Sequence, residues 1–186
     1  KSISIIKEKY SLLEPYIYID KTLELEEKIL RGELDFCLVE GLISSNEIEA
    51  TPFRTDRLVL VANPNYNIPD EISYKDINKY SLLLRESGSS ARYYFDYKFK
   101  LKGITVKPVL ESASNAAIIV SALEGLGVAV LPIKVVESYI ENKTLKEIKI
   151  DVKLDRTSYI IMHKNKFLLD YQKEIYDLCL KMSRDI

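Results

Sequence analysis

The sequence contains no tryptophan, a single histidine and only two cysteines among its 186 residues. One histidine excludes a multi-histidine metal cluster. A Ser-His-Asp arrangement would have to be built around His163, which stands at the end of a strand-like run beside Lys164 and Asn165, where a surface or loop role is expected. Cys37 and Cys179 are far apart and lack a CxxC partner. They read as free, buried thiols in a reducing compartment, with a disulfide or a reactive thiol as the alternative. No stretch approaches the roughly 20 apolar residues that span a bilayer. The first ten residues mix charge with isoleucine and build no signal-peptide core, so no membrane partner and a cytoplasmic location are expected. Charge of one sign is also lacking: 27 basic against 28 acidic residues leave a net charge of −1. That balance argues against a broad basic surface gripping phosphate backbone, so DNA binding is expected to lie elsewhere. HExxH and Walker motifs are missing, and Gly125-Leu126-Gly127 lacks the third glycine of the dinucleotide pattern. No cofactor, metal or catalytic set is implied, and no internal repeat suggests a solenoid.

What is present is a chain that is 47% hydrophobic, enough to bury a substantial core. Ser2 to Tyr10 has the one-sided pattern of an amphipathic helix. Tyr16-Ile17-Tyr18-Ile19 is β-branched and aromatic and reads as a strand. Asp20-Lys21-Thr22 can cap a helix over Leu23 to Leu30, which Gly32 ends. Leu34 to Val39 is nearly continuously apolar, the form of a parallel strand buried on both faces. Further strands are expected at Ile48–Phe53, Arg57–Ala62, Ser81–Leu84, Val106–Leu110, Val128–Leu131 and Ser158–Met162, with a weak one near Leu145. Helices are expected after Ser90, over Ala116–Glu124, after Pro132 and over Leu168–Met182, with a helical turn at Asp76–Lys79. Alternation of this kind predicts an α/β class with mostly parallel sheets. The units cluster into two lobes, residues 1–61 with 157–186 and residues 62–156. Two chain crossings would then form a hinge over a ligand cleft.

Helix starts carry the most chemical information. Glu111 to Pro132 reads as a strand end, a hydroxyl- and amide-rich helix start at Ser112, Ser114 and Asn115, an apolar helix, a glycine stop and a buried strand. The unpaired N–H groups and positive dipole end favour a carboxylate or similar anion, while ordinary capping is the alternative. Ser87, Gly88, Ser89 and Ser90 repeat the pattern ahead of a helix whose first turn holds Arg92. Arg92 suits a bidentate carboxylate contact, or an ion pair with Glu86 or Glu111. Thr22 marks a third helix start. The charge-rich stretches Leu23–Lys28 and Thr144–Lys149 read as solvated faces, and the thirteen tyrosines as packing residues.

Three segments in order, Leu30-Arg31-Gly32-Glu33-Leu34-Asp35 running on to Glu40-Gly41, then Arg57-Leu58-Val59-Leu60-Val61, then the Ser114-Asn115 helix ending in Gly125 to Pro132, resemble the effector-binding domain of LysR-type regulators. The resemblance covers nearly the whole chain. It implies a periplasmic-binding-protein-like fold of two Rossmann-like lobes joined by two crossover strands. It also implies a small-molecule effector between the lobes, assembly as homodimer or homotetramer, and DNA contact only through an N-terminal winged helix-turn-helix. Carried over by position, the ligand contacts would be Thr22, Glu40, Gly41, Ser87 to Ser90, Ser114 and Asn115. The family opens this domain with a strand and a ligand-contacting loop, and the sequence is expected to start after them, leaving a sheet edge that another chain could cover. A transporter's solute-binding protein is the competing reading.

Overall fold

A computed structural model describes residues 8–10 and 12–182, so most of the helix expected over Ser2 to Tyr10 lies outside the described residues. The chain divides into two compact units, residues 1–54 with 157–186 and residues 55–156.

The first unit contains helix α1 (Thr22–Leu30), strand β1 (Cys37–Glu40), the start of the 15-residue strand β2 (Ile48–Ala62), most of β8 (Asp155–His163) and helix α5 (Asp170–Met182). β1 pairs antiparallel with β8, Cys37 opposite Ile161. That corrects the expectation of a parallel strand buried on both faces. β1 alternates instead, with Cys37 and Val39 inward and Leu38 half exposed. Leu25, Ile29, Val39, Ile48 and Ile161 form the core of this unit. The strand expected at Tyr16–Ile19 is also corrected. These residues are not in a strand, and Ile19 is 90% exposed. High β-propensity does not make a strand without a neighbour to take up its backbone hydrogen bonds.

The second unit is a three-layer sandwich. Its remaining elements are β3 (Glu71–Ile72), a 3-10 helix (Tyr74–Lys79), β4 (Leu82–Arg85), α2 (Ser90–Lys100), β5 (Pro108–Ser112), α3 (Asn115–Leu123), β6 (Val128–Pro132), α4 (Ile133–Glu141) and β7 (Lys146–Ile150). β4 lies between β5 and β6 and is parallel to both, whereas β2 pairs antiparallel with β6 and β7. The sheet is therefore mixed, its parallel pairs being β4 with β5, β4 with β6 and the short β3 with β7. Period-two alternation splits each central strand between two cores. Leu58, Leu60, Leu82, Leu84, Val128 and Val130 pack on the face covered by Phe95 and Phe99 of α2. Val59, Val61, Leu83, Ala129 and Leu131 pack against Ile118, Ile119 and Ala122 of α3 and Val136 of α4 on the other. Each fully buried Val, Leu, Ile or Phe among them contributes on the order of 1.5–3 kcal/mol.

The two strands expected at Ile48–Phe53 and Arg57–Ala62 are a single strand that runs through the junction of the units at Arg54 and Thr55. The other junction, Arg156 to Thr157, also falls inside a strand, β8.

Candidate functional site

Because β4, β5 and β6 run in the same direction and lead into α2, α3 and α4, all three helix N-termini lie beyond one edge of the second unit's sheet. At that edge Arg85 stands in register with Ser112, and the Glu86 N–H donates to the Ser112 carbonyl at 3.2 Å. Gly88 adopts φ +90°, the left-handed conformation that bends the loop back into α2.

Ser89 caps α2: its Oγ accepts the Arg92 N–H at 3.2 Å. Ser114 caps α3, its Oγ accepting the Ala117 N–H at 3.3 Å, while its own N–H donates to Ser112 Oγ at 3.1 Å. Pro132 precedes α4 and supplies no side-chain cap. The capping alternative at Ser114 is thus realised, Ser89 caps its helix in the same way, and each cap occupies one of the several free N–H groups of its helix. None of the three helices carries an acidic residue in its first turn, whereas α1 has Glu24 and α5 has Asp170. Ser87, Gly88 and Ser114 are exposed, Ser90 and Asn115 are half-buried, and Ser89 is buried.

Arg92 takes the ion-pair alternative with Glu111, not Glu86. Its Nη1 lies 2.8 Å from Glu111 and donates to the Arg85 carbonyl at 3.1 Å, while Nε meets Asp96 at 2.8 Å. The guanidinium therefore ties α2 to β5. Burial nonetheless pushes the Asp96 carboxyl above its ordinary value, against the opposing pull of Arg92. Sequence reasoning singled out Arg92 and passed over Arg85. The Arg85 guanidinium binds Glu86 through Nε at 2.9 Å and Asn115 Oδ1 through Nη1 at 2.8 Å, joining the loop before α2 to the start of α3. The available signal was its place as the last residue of a buried strand, directly ahead of a glycine-serine loop.

In the first unit, Thr22, Glu40 and Gly41 come together. Thr22 Oγ1 donates to the Glu40 carbonyl at 3.2 Å. Gly41 has φ +92° and donates its N–H to the Thr157 carbonyl at 3.3 Å. The expected capping by Asp20 is corrected: its carboxylate accepts from the Lys21 N–H and the Tyr18 hydroxyl, and the N-cap residue Lys21 makes no side-chain capping bond. Next to this turn, buried Glu26 accepts both the N–H and the hydroxyl of Ser44, at 3.0 and 2.6 Å.

No group of three or more His, Cys, Asp or Glu side chains is placed to hold a metal among the described residues. His163 ends β8, its Nδ1 accepting the Asn165 N–H at 3.0 Å. Both cysteines are free thiols, and burial raises Cys37 to about 11. Among the described residues no helix is long and apolar enough to cross a membrane.

The family model of the LysR substrate binding domain matches residues 2–183. The chain belongs to that family. Its curated relatives include the HTH-type transcriptional regulator CysL of Bacillus subtilis (strain 168), 28% identical over 68% of this chain and 43% of the relative. Another is the uncharacterized HTH-type transcriptional regulator YeiE of Escherichia coli (strain K12), 25% identical over 95% of this chain and 61% of the relative. The chain thus spans about half the length of the curated relatives it matches. Among solved structures, the CcmR regulatory domain of Synechocystis PCC6803 in complex with 2-PG superposes with a TM-score of 0.83 at 21% identity, covering 100% of this chain and 90% of that one. The effector-binding domain of QuiR in complex with shikimate gives 0.79 at 19% identity, covering 99% and 89%. These likenesses establish the LysR regulatory-domain fold, of the periplasmic-binding-protein type, and a transporter's solute-binding protein is not favoured.

Proposed function

We propose that this LysR substrate-binding domain senses a small organic anion, with the N-terminal edge of α2, α3 and α4 as the part of the site that holds the anionic group. The observation that carries this reading is the convergence of three helix N-termini without one acidic residue in their first turns. Ser87, Gly88, Ser90, Ser114 and Asn115 supply the contacts, Ser89 and Arg92 shape the loop, and Arg85 fixes the two helix starts relative to each other. Thr22, Glu40 and Gly41 form a second group of candidate contacts on the first unit. Two structural neighbours hold small molecules, 2-PG and shikimate, which supports a small-molecule effector.

Binding changes a regulator only through unequal affinity for its arrangements. In this reading the domain works in the cytoplasm as part of a homodimer or homotetramer and performs no catalysis, and DNA is read by a helix-turn-helix of the longer protein. The test is a thermal-shift screen of organic acids followed by calorimetry. A ligand at about 100 times its Kd stabilises the domain by about 2.7 kcal/mol. Ser114→Leu should abolish that shift. Equal binding to the Leu variant moves the site elsewhere, and failure of every organic acid to stabilise the chain refutes the anion reading.

A further inference from the structure

The near-zero net charge conceals a local segregation at the far end of α2, about 16 Å along the helix from its serine cap. Tyr97 to Lys107 reads YKFKLKGITVK, four lysines and no acidic residue. The structure brings a second lysine-bearing segment, the 3-10 helix Tyr74–Lys79, against it. Asn78 joins the two, its Nδ2 donating to the Thr105 carbonyl at 2.8 Å and its Oδ1 accepting the Lys107 N–H at 3.1 Å. Lys75 and Lys102 converge on one ring, their Nζ atoms 6.0 and 5.2 Å from the centroid of Tyr74.

Six lysines therefore share one end of the second unit: 75, 79, 98, 100, 102 and 107. Lys79 pairs with Asp76 at 2.9 Å, and the other five make no ion pair among the described residues. Asp151, beside the 3-10 helix, is engaged by the Ser73 hydroxyl and the Tyr74 N–H, and Asp96, one turn before Lys100 on α2, pairs with Arg92. Favourable interaction with the C-terminal end of the helix dipole accounts for Lys98 and Lys100, in the last turn of α2, but not for Lys75 or Lys107. Like charges gathered without counter-charges cost free energy unless something anionic offsets them.

We infer that this lysine-rich end of the second unit is a contact surface for duplex DNA, touching phosphates without reading sequence. Protein interfaces are depleted in lysine and rely on arginine and buried aromatic anchors. Flexible, strongly hydrated ammonium groups suit a diffuse row of phosphates instead. The curated relatives are HTH-type transcriptional regulators, so the partner would be at hand in the longer protein. The inference is independent of the effector site.

The test is fluorescence anisotropy of this chain with a random-sequence duplex at about 50 and 200 mM salt. The wild type should bind weakly and lose affinity steeply with salt. Lys98→Gln/Lys100→Gln/Lys102→Gln should weaken binding about tenfold at low salt and reduce the log–log salt slope by about 2–3, near 0.9 per lysine removed. Lys21→Gln/Lys164→Gln/Lys173→Gln, with the same charge change on the first unit, should stay within about twofold of wild type, separating a located surface from overall charge. Circular dichroism checks that each variant folds. Absence of wild-type binding at low salt, or equal losses in the two triple variants, overturns the proposal. So does a poly-glutamate peptide binding as tightly as the duplex, which would point to an acidic protein partner.

Discussion

Asp56 and Arg156 form the most deeply buried ion pair described in the molecule, with side chains 4% and 1% exposed and Nη2 2.9 Å from Oδ2. They sit on β2 and β8 where the chain enters and leaves the second unit, next to the Leu58 N–H bond to the Leu154 carbonyl at 3.0 Å. Asp56 Oδ1 is buried without a protein partner. Taking both charges out of water costs several kcal/mol each, and their attraction roughly returns it. Asp56→Asn removes one carboxylate from a guanidinium that stays buried, so it should destabilise by up to about 3–5 kcal/mol. Asp56→Leu/Arg156→Met removes both desolvation costs together and should lie near wild type, within about 1 kcal/mol or above it. With the double variant near wild type, the coupling between the sites is as large as the losses of the two single variants, Asp56→Leu and Arg156→Met, added together. Urea unfolding followed by tyrosine fluorescence, the chain having no tryptophan, measures all of the variants. At about 2–4 °C per kcal/mol the single variant should also lower Tm by roughly 6–20 °C. A loss below about 1 kcal/mol, the worth of a solvated pair, would refute the reasoning. So would a double variant whose cost is the sum of the singles.

A Cβ at Gly127 would lie 2.0 Å from the Ser81 carbonyl oxygen, a backbone atom that also accepts the Val128 N–H at 2.8 Å and cannot step aside. Gly127→Ala should therefore cost about 1–3 kcal/mol in chemical denaturation, and a neutral result would mean the β4–β6 contact is looser than described. Ser89→Ala and Ser114→Ala each remove a cap and should cost about 1 kcal/mol, with buried Ser89 the more expensive of the two in the same assay. Burial raises the Cys37 thiol from 9.0 to about 11. The unfolded chain then ionises first, so stability should fall as pH rises from about 9 towards 11, and Cys37→Ala should flatten that limb of the pH profile.

Sequence patterning served best where local and tertiary preferences agree. The helix stops at Gly32 and Gly125 were legible because both residues take the left-handed conformation, φ +73° and +76°, that glycine adopts without steric cost. The Ser114 cap was legible for a similar reason, a hydroxyl directly before an apolar helix. Tyr16–Ile19 failed because strand formation depends on a partner that local composition does not report. Pairing direction at β1 failed because a short, largely apolar run such as Leu34 to Val39 looks the same whether its neighbour is parallel or antiparallel. At the candidate site, the serine loops could be named from sequence, but the choice of Glu111 over Glu86 by Arg92 rests on the register of β4 with β5. Arg85 was passed over because its value lies in bridging two loops that are 30 residues apart.

Side-chain charge alone would not make that edge attractive to an anion. Arg85 and Arg92 supply two positive charges against the carboxylates of Glu86, Asp96 and Glu111, a local sum of −1. Three helix N-termini add about +0.5 each, which turns the balance to about +0.5, but the dipole field falls off within a turn. An anion is therefore repelled or ignored at a distance and favoured only once its oxygens reach the free N–H groups. This predicts recognition by contact rather than by long-range steering. Effector affinity should change little between low and moderate salt, because a pair in direct contact is screened far less than charges a Debye length apart. The lysine end of the same unit should behave in the opposite way, its DNA affinity collapsing over that range. If both proposals hold, salt alone should separate the two surfaces: the contact-built edge should keep a small ligand under conditions that release the polyanion.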